Sequence, residues 1–269
     1  MKIELKEKSL LILILRGEIK IDELSLNKYF ESKGIIIKND YFSYDKSFGK
    51  KSCENQIGIM VELHKALICC RFDDLCKIGS SIGKEVEGFK VQLKRVQRDY
   101  KSVFDKNSKN EVEKLFLSEG KRMVYQGLQA VDYILQNGYF DIIRRSMNRE
   151  EICIGRVDQG NLRKVNGNFE IGTIKGMSYN LVEEDLYRYI KRIQKKGIDI
   201  DEDEIIRFFV HQSHLSLDSI KYIRALCSYP KNFFKTWERY RNNKKSKSDE
   251  EFVELLKESL KYEDKVFIK

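Results

Sequence analysis

The chain has 269 residues, 41% of them hydrophobic and 35% charged, enough apolar content for a substantial core and too much for a disordered chain. Its 51 basic residues exceed the 42 acidic ones for a net charge of +9, which favours anionic partners, but the lysines are spread along the chain beside acids and read as a solvated surface. The apolar run Leu10 to Leu15 is far short of the roughly 20 residues that span a bilayer and has no small-residue cleavage site after it, so neither a membrane span nor a signal peptide is expected.

Residues 1–21 are expected to be extended: KIELK alternates, LLILIL is a buried run and RGE offers a turn. LSLNKYFESKG reads as a short helix ending at Gly34, and GIII as another apolar run before a polar, aromatic loop. From about Gln56 the spacing of Ile57, Met60, Val61 and His64 is helical. Val86, Phe89, Leu93, Val96, Tyr100 and Val103 then mark one face of a long helix. After the polar break DKNSKN, Ser108 and Glu111 are expected to form a capping box for a second long helix. Its apolar face is carried by Val112, Leu115, Phe116, Met123, Leu128, Val131 and Leu135, which predicts an antiparallel helical hairpin.

Short apolar segments and glycines then interrupt the helices, and Asn166-Gly167 between apolar flanks predicts a β-hairpin. EEDLYRYIKRIQKKG follows as a helix closed by Gly197, then EDEIIRFFVHQ, then LDSIKYIRALCSY running into Pro230, the single proline. Ser248 and Glu251 predict a capped start for the last helix. The resulting plan is a small mixed unit over residues 1–56 and a large helical unit over 57–269, with a β-hairpin insert near 152–180.

Residue types that could carry chemistry elsewhere read as structural. Cys53, Cys69, Cys70, Cys76, Cys153 and Cys227 lack paired C-x-x-C spacing, so free thiols and no metal site are expected. His211 and His214 lack an acid or cysteine at ligand spacing and read as a helix end. Phe233, Phe234, Trp237 and Tyr240 could stack bases, but their spacing is that of a packed helix face.

Five segments carry a resemblance. Val61-Glu62-Leu63-His64-Lys65-Ala66 stands where L-A-x-F-H-x-A would; Ile152-Cys153-Ile154-Gly155-Arg156 with Asn161 stands where I-C-H-G-D-x-x-x-x-N would. Asn166-Gly167 and Gly172-Thr173-Ile174-Lys175 stand for D-G-x-x-x-x-I-D-F-D, Asp185-Leu186 opens the next helix, and Pro230 precedes an aromatic-rich helix. In these segments, over about residues 57 to 262, the chain resembles the spore coat CotS family, relatives of aminoglycoside and choline phosphotransferases. The resemblance implies an α+β, two-lobed protein-kinase-like fold with a truncated small lobe; no glycine-rich phosphate loop and no strand-end lysine in a V-x-L-K context are found in that lobe.

At the motif positions the chemistry is altered. Phosphoryl transfer needs a carboxylate to orient the acceptor and oxygen ligands for magnesium. The base position is Arg156, which accepts no proton; the loop histidine is Ile154; the two acidic positions of the metal motif are Thr173 and Lys175; Asn161 alone survives. Asp158 lies two residues beyond Arg156, too far displaced to replace the base, and reads as an exposed loop aspartate or a partner for Arg156. Arg156 and Lys175 are both expected to approach the former metal site, where they pair with Asp158 or Glu170 or bind an anion.

The reading is a catalytically inactive kinase-like protein with no cofactor. By resemblance it acts through binding in spore coat assembly, with other coat proteins as partners, after cytoplasmic synthesis. Two alternatives stand beside it: a divergent phosphotransferase on a small molecule or polymer, and a basic module for nucleic acid or anionic glycan, of which nucleic acid is disfavoured.

Overall fold

The computed structural model describes residues 21–43, 50–68, 70, 78–198, 200–242, 247–263 and 266–268. The extended segment expected over residues 1–20 lies outside them, as do Cys69 and Cys76.

Helix α1 (Ile21–Ser32) ends before Gly34, whose φ of +71° turns the chain directly into β1 (Ile35–Ile37). Helix α2 (Lys50–Leu67) buries Cys53, Ile57, Met60, Leu63 and His64 on one side. It runs unbroken through positions 56 and 57, so the division expected there falls within an element. The two long helices follow as α3 (Lys84–Phe104) and α4 (Glu111–Gln136), packed as a hairpin. Their contact is close at Gly127, where a Cβ would stand 2.8 Å from the Leu93 side chain.

The capping box of α4 differs from the one expected. Asn110, not Ser108, is the N-cap: its Oδ1 accepts from Glu113 N at 3.0 Å, and Glu113 Oε2 accepts from Asn110 N at 3.3 Å. Both registers carry a cap residue three before a glutamate, and the one that forms is the one that turns Val112 and Phe116 into the core. Leu128 also departs from expectation: it is exposed, and the small residues Gly127 and Ala130 face inward beside it.

Helix α5 (Tyr139–Arg149) leads to β2 (Ile152–Cys153), then the hairpin β3 (Leu162–Val165) and β4 (Asn168–Ile171), and β5 (Ser178–Tyr179). Asn166 and Gly167 adopt φ of +50° and +83°, the primed turn that their sequence predicts. β3 and β4 pair antiparallel, Leu162 opposite Ile171, while β1 adds parallel to β4 with Ile35 opposite Phe169. The hairpin is thus joined in one sheet, of order β1-β4-β3, to the N-terminal unit. β2 and β5 form a second, two-stranded sheet.

The remaining helices are α6 (Glu183–Lys195), α7 (Glu202–Gln212), α8 (Leu217–Ser228), α9 (Lys231–Arg241) and α10 (Asp249–Glu263). Ser248 caps α10 as expected, its Oγ accepting from Glu251 N at 3.3 Å. The core of this helical unit is aromatic. Phe116 stacks on Trp237 and Phe89 on Tyr229, each with ring centroids 3.6 Å apart, so the aromatic run of α9 is a packed face. The buried acid Asp99 is matched by the Trp237 indole N–H at 3.1 Å and by Arg241 at 2.7 Å. Cys53, Cys70, Cys153 and Cys227 are free and buried. Among the described residues, no helix is long and apolar enough to cross a membrane.

Candidate active-site cleft

The cleft is built around the loop that joins β2 to β3. After β2 the chain turns at Gly155, with φ of +83°, where it passes so close to Gly176 that a Cβ would lie 2.9 Å from the Gly176 carbonyl oxygen. Asp185, in the first turn of α6, fixes this turn from below. Its carboxylate accepts from Ile154 N at 2.9 Å, Gly155 N at 2.8 Å and His64 Nε2 at 3.0 Å. Burial opposes a charge on Asp185, yet the bonds from His64 and the Ile154 N–H hold its pKa below the ordinary carboxylate value. Ile154 itself is buried, so its side chain is packing and its backbone is the functional part.

Arg156 leaves this turn toward the opening. Its guanidinium lies 3.1 Å from Asp158 and over the Tyr41 ring, 4.1 Å from the centroid. Asp158 is buried, against the alternative that it is an exposed loop acid, because three groups draw it inward: Arg156, Arg192 of α6 at 2.9 Å, and Gly160 N at 2.9 Å. Gln56 braces the loop from α2, donating to the carbonyls of Val157 at 2.7 Å and Leu162 at 3.0 Å.

Asn161 and Thr173 face each other beneath the opening. Asn161 donates through Nδ2 to Arg156 O at 2.8 Å and Thr173 O at 3.1 Å, and accepts from Thr173 N at 2.8 Å. The Thr173 hydroxyl accepts from Lys175 N at 3.3 Å. The Asn161 side chain therefore clamps the two segments of the motif together, while the Thr173 hydroxyl fixes the turn to Lys175 within its own segment.

Lys175 is not where it was expected. Its side chain is exposed and lines no part of the cleft, and the acid proposed for it is taken: Glu170 pairs with Lys38 at 3.0 Å and with Arg163. Lys38 is also a correction. It directly follows β1 in the run Ile35-Ile36-Ile37-Lys38, so a strand-end lysine does exist, turned toward Glu170 and not toward the cleft.

The opening has a volume of about 460 Å³ and is lined by Arg156, Arg188 and Arg192, with Tyr41, Ser81, Asn161, Thr173 and Ser178 among the uncharged groups. No carboxylate lines it among the described residues. Arg188 and Arg192 were not singled out in the sequence. Their signal was present: four apart on a helix that starts EED, they share one face.

The sequence matches no protein-family profile and no curated protein. Its fold is similar to that of an aminoglycoside phosphotransferase from Alicyclobacillus acidocaldarius, with a TM-score of 0.65 at 10% identity over 80% of this chain and 64% of that one. The chain has a kinase-like phosphotransferase fold. It spans less than two thirds of that neighbour's length, and at this identity the likeness is one of fold alone. Within the kinase-like fold, the loop from β2 to β3 and the segment after β4 meet at one opening.

Proposed function

We propose that this chain is a kinase-like protein that binds through its former catalytic cleft and does not transfer phosphate, with a role in spore coat assembly as the family resemblance implies. The carrying observation is the cleft's charge: three arginines line it, and the one nearby acid of the loop, Asp158, is already shared between two of them.

The donor set does not fit a magnesium ion. Magnesium takes an octahedron of oxygens, with carboxylates and nucleotide phosphates as its usual anionic ligands. Here Asn161 Oδ1 accepts a backbone N–H, the Thr173 hydroxyl accepts another, and Asp158 neutralises guanidinium groups. A divalent cation would meet net positive charge. An anion would meet Arg156, Arg188 and Arg192, whose planar forks suit carboxylate or phosphate. The ligand class this supports is therefore anionic, within coat assembly or outside it.

The test is a thermal-shift titration of the purified chain with ATP, with and without magnesium, beside a radiolabelled phosphate-transfer assay. The expected outcome is no magnesium-dependent shift and no transfer. Ligand at about 100 times its dissociation constant stabilises by about 2.7 kcal/mol, so a specific complex would be plainly visible. A shift of several degrees that requires magnesium would instead support a divergent phosphotransferase.

A further inference from the structure

A second basic feature runs away from the cleft, between α6 and α9. Two adjoining hollows form one groove. The first, about 420 Å³, is lined by Arg188, Arg192 and Lys195 from α6 and by Lys231 and Lys235 from α9, and it shares Arg188, Arg192 and Gly155 with the cleft. The second, about 230 Å³, continues along Lys195, Lys235 and Arg239.

The cations near the cleft are paired with acids, Asp158 being shared by two of them. Arg188 pairs with Glu184, Arg192 with Asp158, Lys191 with Glu263 and Lys231 with Glu85. Those further along are not: Lys195, Lys235 and Arg239 have no ion-pair partner among the described residues. They crowd one another as well. Burial, then the charges of Lys235 and Arg239, lower the pKa of Lys195 below that of an ordinary lysine. Three like charges converging on one concavity weaken the fold unless something offsets them. The acids nearby do so only in part: Glu263, whose charge draws the Lys195 pKa back up, is already engaged by Lys191 and by Asn232 N at 2.8 Å, and Glu258, in the wall of the second hollow, accepts from Tyr262.

We propose that the groove between α6 and α9 is a binding site for a ligand with two or three phosphate groups, held by Lys195, Lys235 and Arg239. Lys235 and Arg239 lie one turn apart on α9, about 6 Å along the axis, and Lys195 lines the same hollow from α6, so three cations on two helices can meet different phosphates of one short chain. Ammonium groups supply point charge, and the Arg239 guanidinium supplies a fork. Asn232 and Thr236 add uncharged donors in the same wall. The site stands apart from the reading of the cleft, because none of these three residues lines the former catalytic opening.

The experiment is isothermal titration of the full chain with sodium tripolyphosphate at low salt, against orthophosphate, a long linear polyphosphate and a single-stranded DNA dodecamer. The variants are K195E and K235E/R239E, all exposed positions, with R156A as the cleft control. We expect tripolyphosphate to bind, each groove variant to weaken it at least about tenfold at a melting temperature no lower than the parent's, and R156A to stay within about twofold. Orthophosphate should bind at least about tenfold more weakly. Tighter binding of long polyphosphate, per phosphate group, would identify a polymer as the source; equal binding would identify a free oligophosphate. No binding of tripolyphosphate overturns the proposal. So does binding indifferent to K235E/R239E, binding lost in R156A, which places the anion in the cleft, or binding of the dodecamer without tripolyphosphate, which assigns nucleic acid.

Discussion

Arg156 reaches back to Asp158, two residues along the same loop, at 3.1 Å, and Arg192 holds the other side of that carboxylate at 2.9 Å. Asp158 is buried, and both arginines satisfy its carboxylate away from bulk water. Arg156→Asp would restore a carboxylate at the base position but set it beside a second one. It should cost about 1–3 kcal/mol in urea denaturation and restore no phosphate transfer. A variant as stable as the parent, with magnesium-dependent ATP binding, would show that Arg156 alone separates this cleft from an active one.

Asp185 ties α2, α6 and the loop after β2 together through three hydrogen bonds. Asp185→Ala would leave the Ile154 and Gly155 N–H groups and His64 without their acceptor in a dry site. The expected loss is about 3–5 kcal/mol, as when one member of a buried charged pair is removed. Asp185→Asn keeps the shape, yet one amide oxygen cannot replace two carboxylate oxygens, so it should fall between. Urea denaturation of the three proteins gives the ranking directly, and parity of Asp185→Ala with the parent would remove Asp185 as the anchor of the loop.

The helical hairpin and the Asn166-Gly167 turn were legible because each rests on local spacing: 3–4 periodicity in Val86 to Val103, and a turn dipeptide in the hairpin. Of the two cations that the motif resemblance led to one site, Arg156 is there, joined by Asn161 and Thr173, and Lys175 is not. Three features were not legible. The burial of Glu183, Glu184 and Asp185 in the first turn of α6 has no local signal: Arg145 and Arg188, distant in sequence or a turn away, reach in to meet them. Lys175 follows Thr173 in the motif but projects outward, because the chain turns between them. The groove cations come from two helices some 40 positions apart (Lys195 and Lys235), and only tertiary packing brings them together without an ion-pair partner among the described residues.

Gly155 and Gly167 share a φ of +83° but not their surroundings. At Gly167 a Cβ meets nothing within 4 Å, so Gly167→Ala should cost only the left-handed backbone penalty, about 1 kcal/mol. At Gly155 the same Cβ would strike the Gly176 carbonyl at 2.9 Å, and backbone cannot swing aside as a side chain does. Gly155→Ala should therefore lose about 2 kcal/mol or more and shift the Ile154 and Gly155 amide resonances in an NMR spectrum. Equal losses in the two variants would mean that the loop after β2 is not pressed against Gly176.

Glu184 sets a pH dependence opposite in sign to that of its neighbour. Burial pushes its pKa up to about 7, against the pull of Arg188 at 2.8 Å and the Asn180 amide at 2.6 Å. In the unfolded chain it titrates near its ordinary 4.5. Between these values the folded protein keeps a proton that the unfolded chain has released, so stability falls as pH rises through the window and levels off above it. The change is on the order of 3 kcal/mol at most, because each pH unit across that window is worth about 1.4 kcal/mol. Asp185 works the other way: its depressed pKa gives stability that is present above 3.8 and lost as pH drops below it, so the two windows do not overlap. Glu184→Gln cannot titrate. Measured by urea denaturation from about pH 4.5 to about pH 8, the variant should gain on the parent steadily with rising pH, and the gap should stop widening near pH 7. A gap that stays constant across this range would mean that Glu184 remains ionised in the folded chain, held by Arg188 and Asn180 despite its burial.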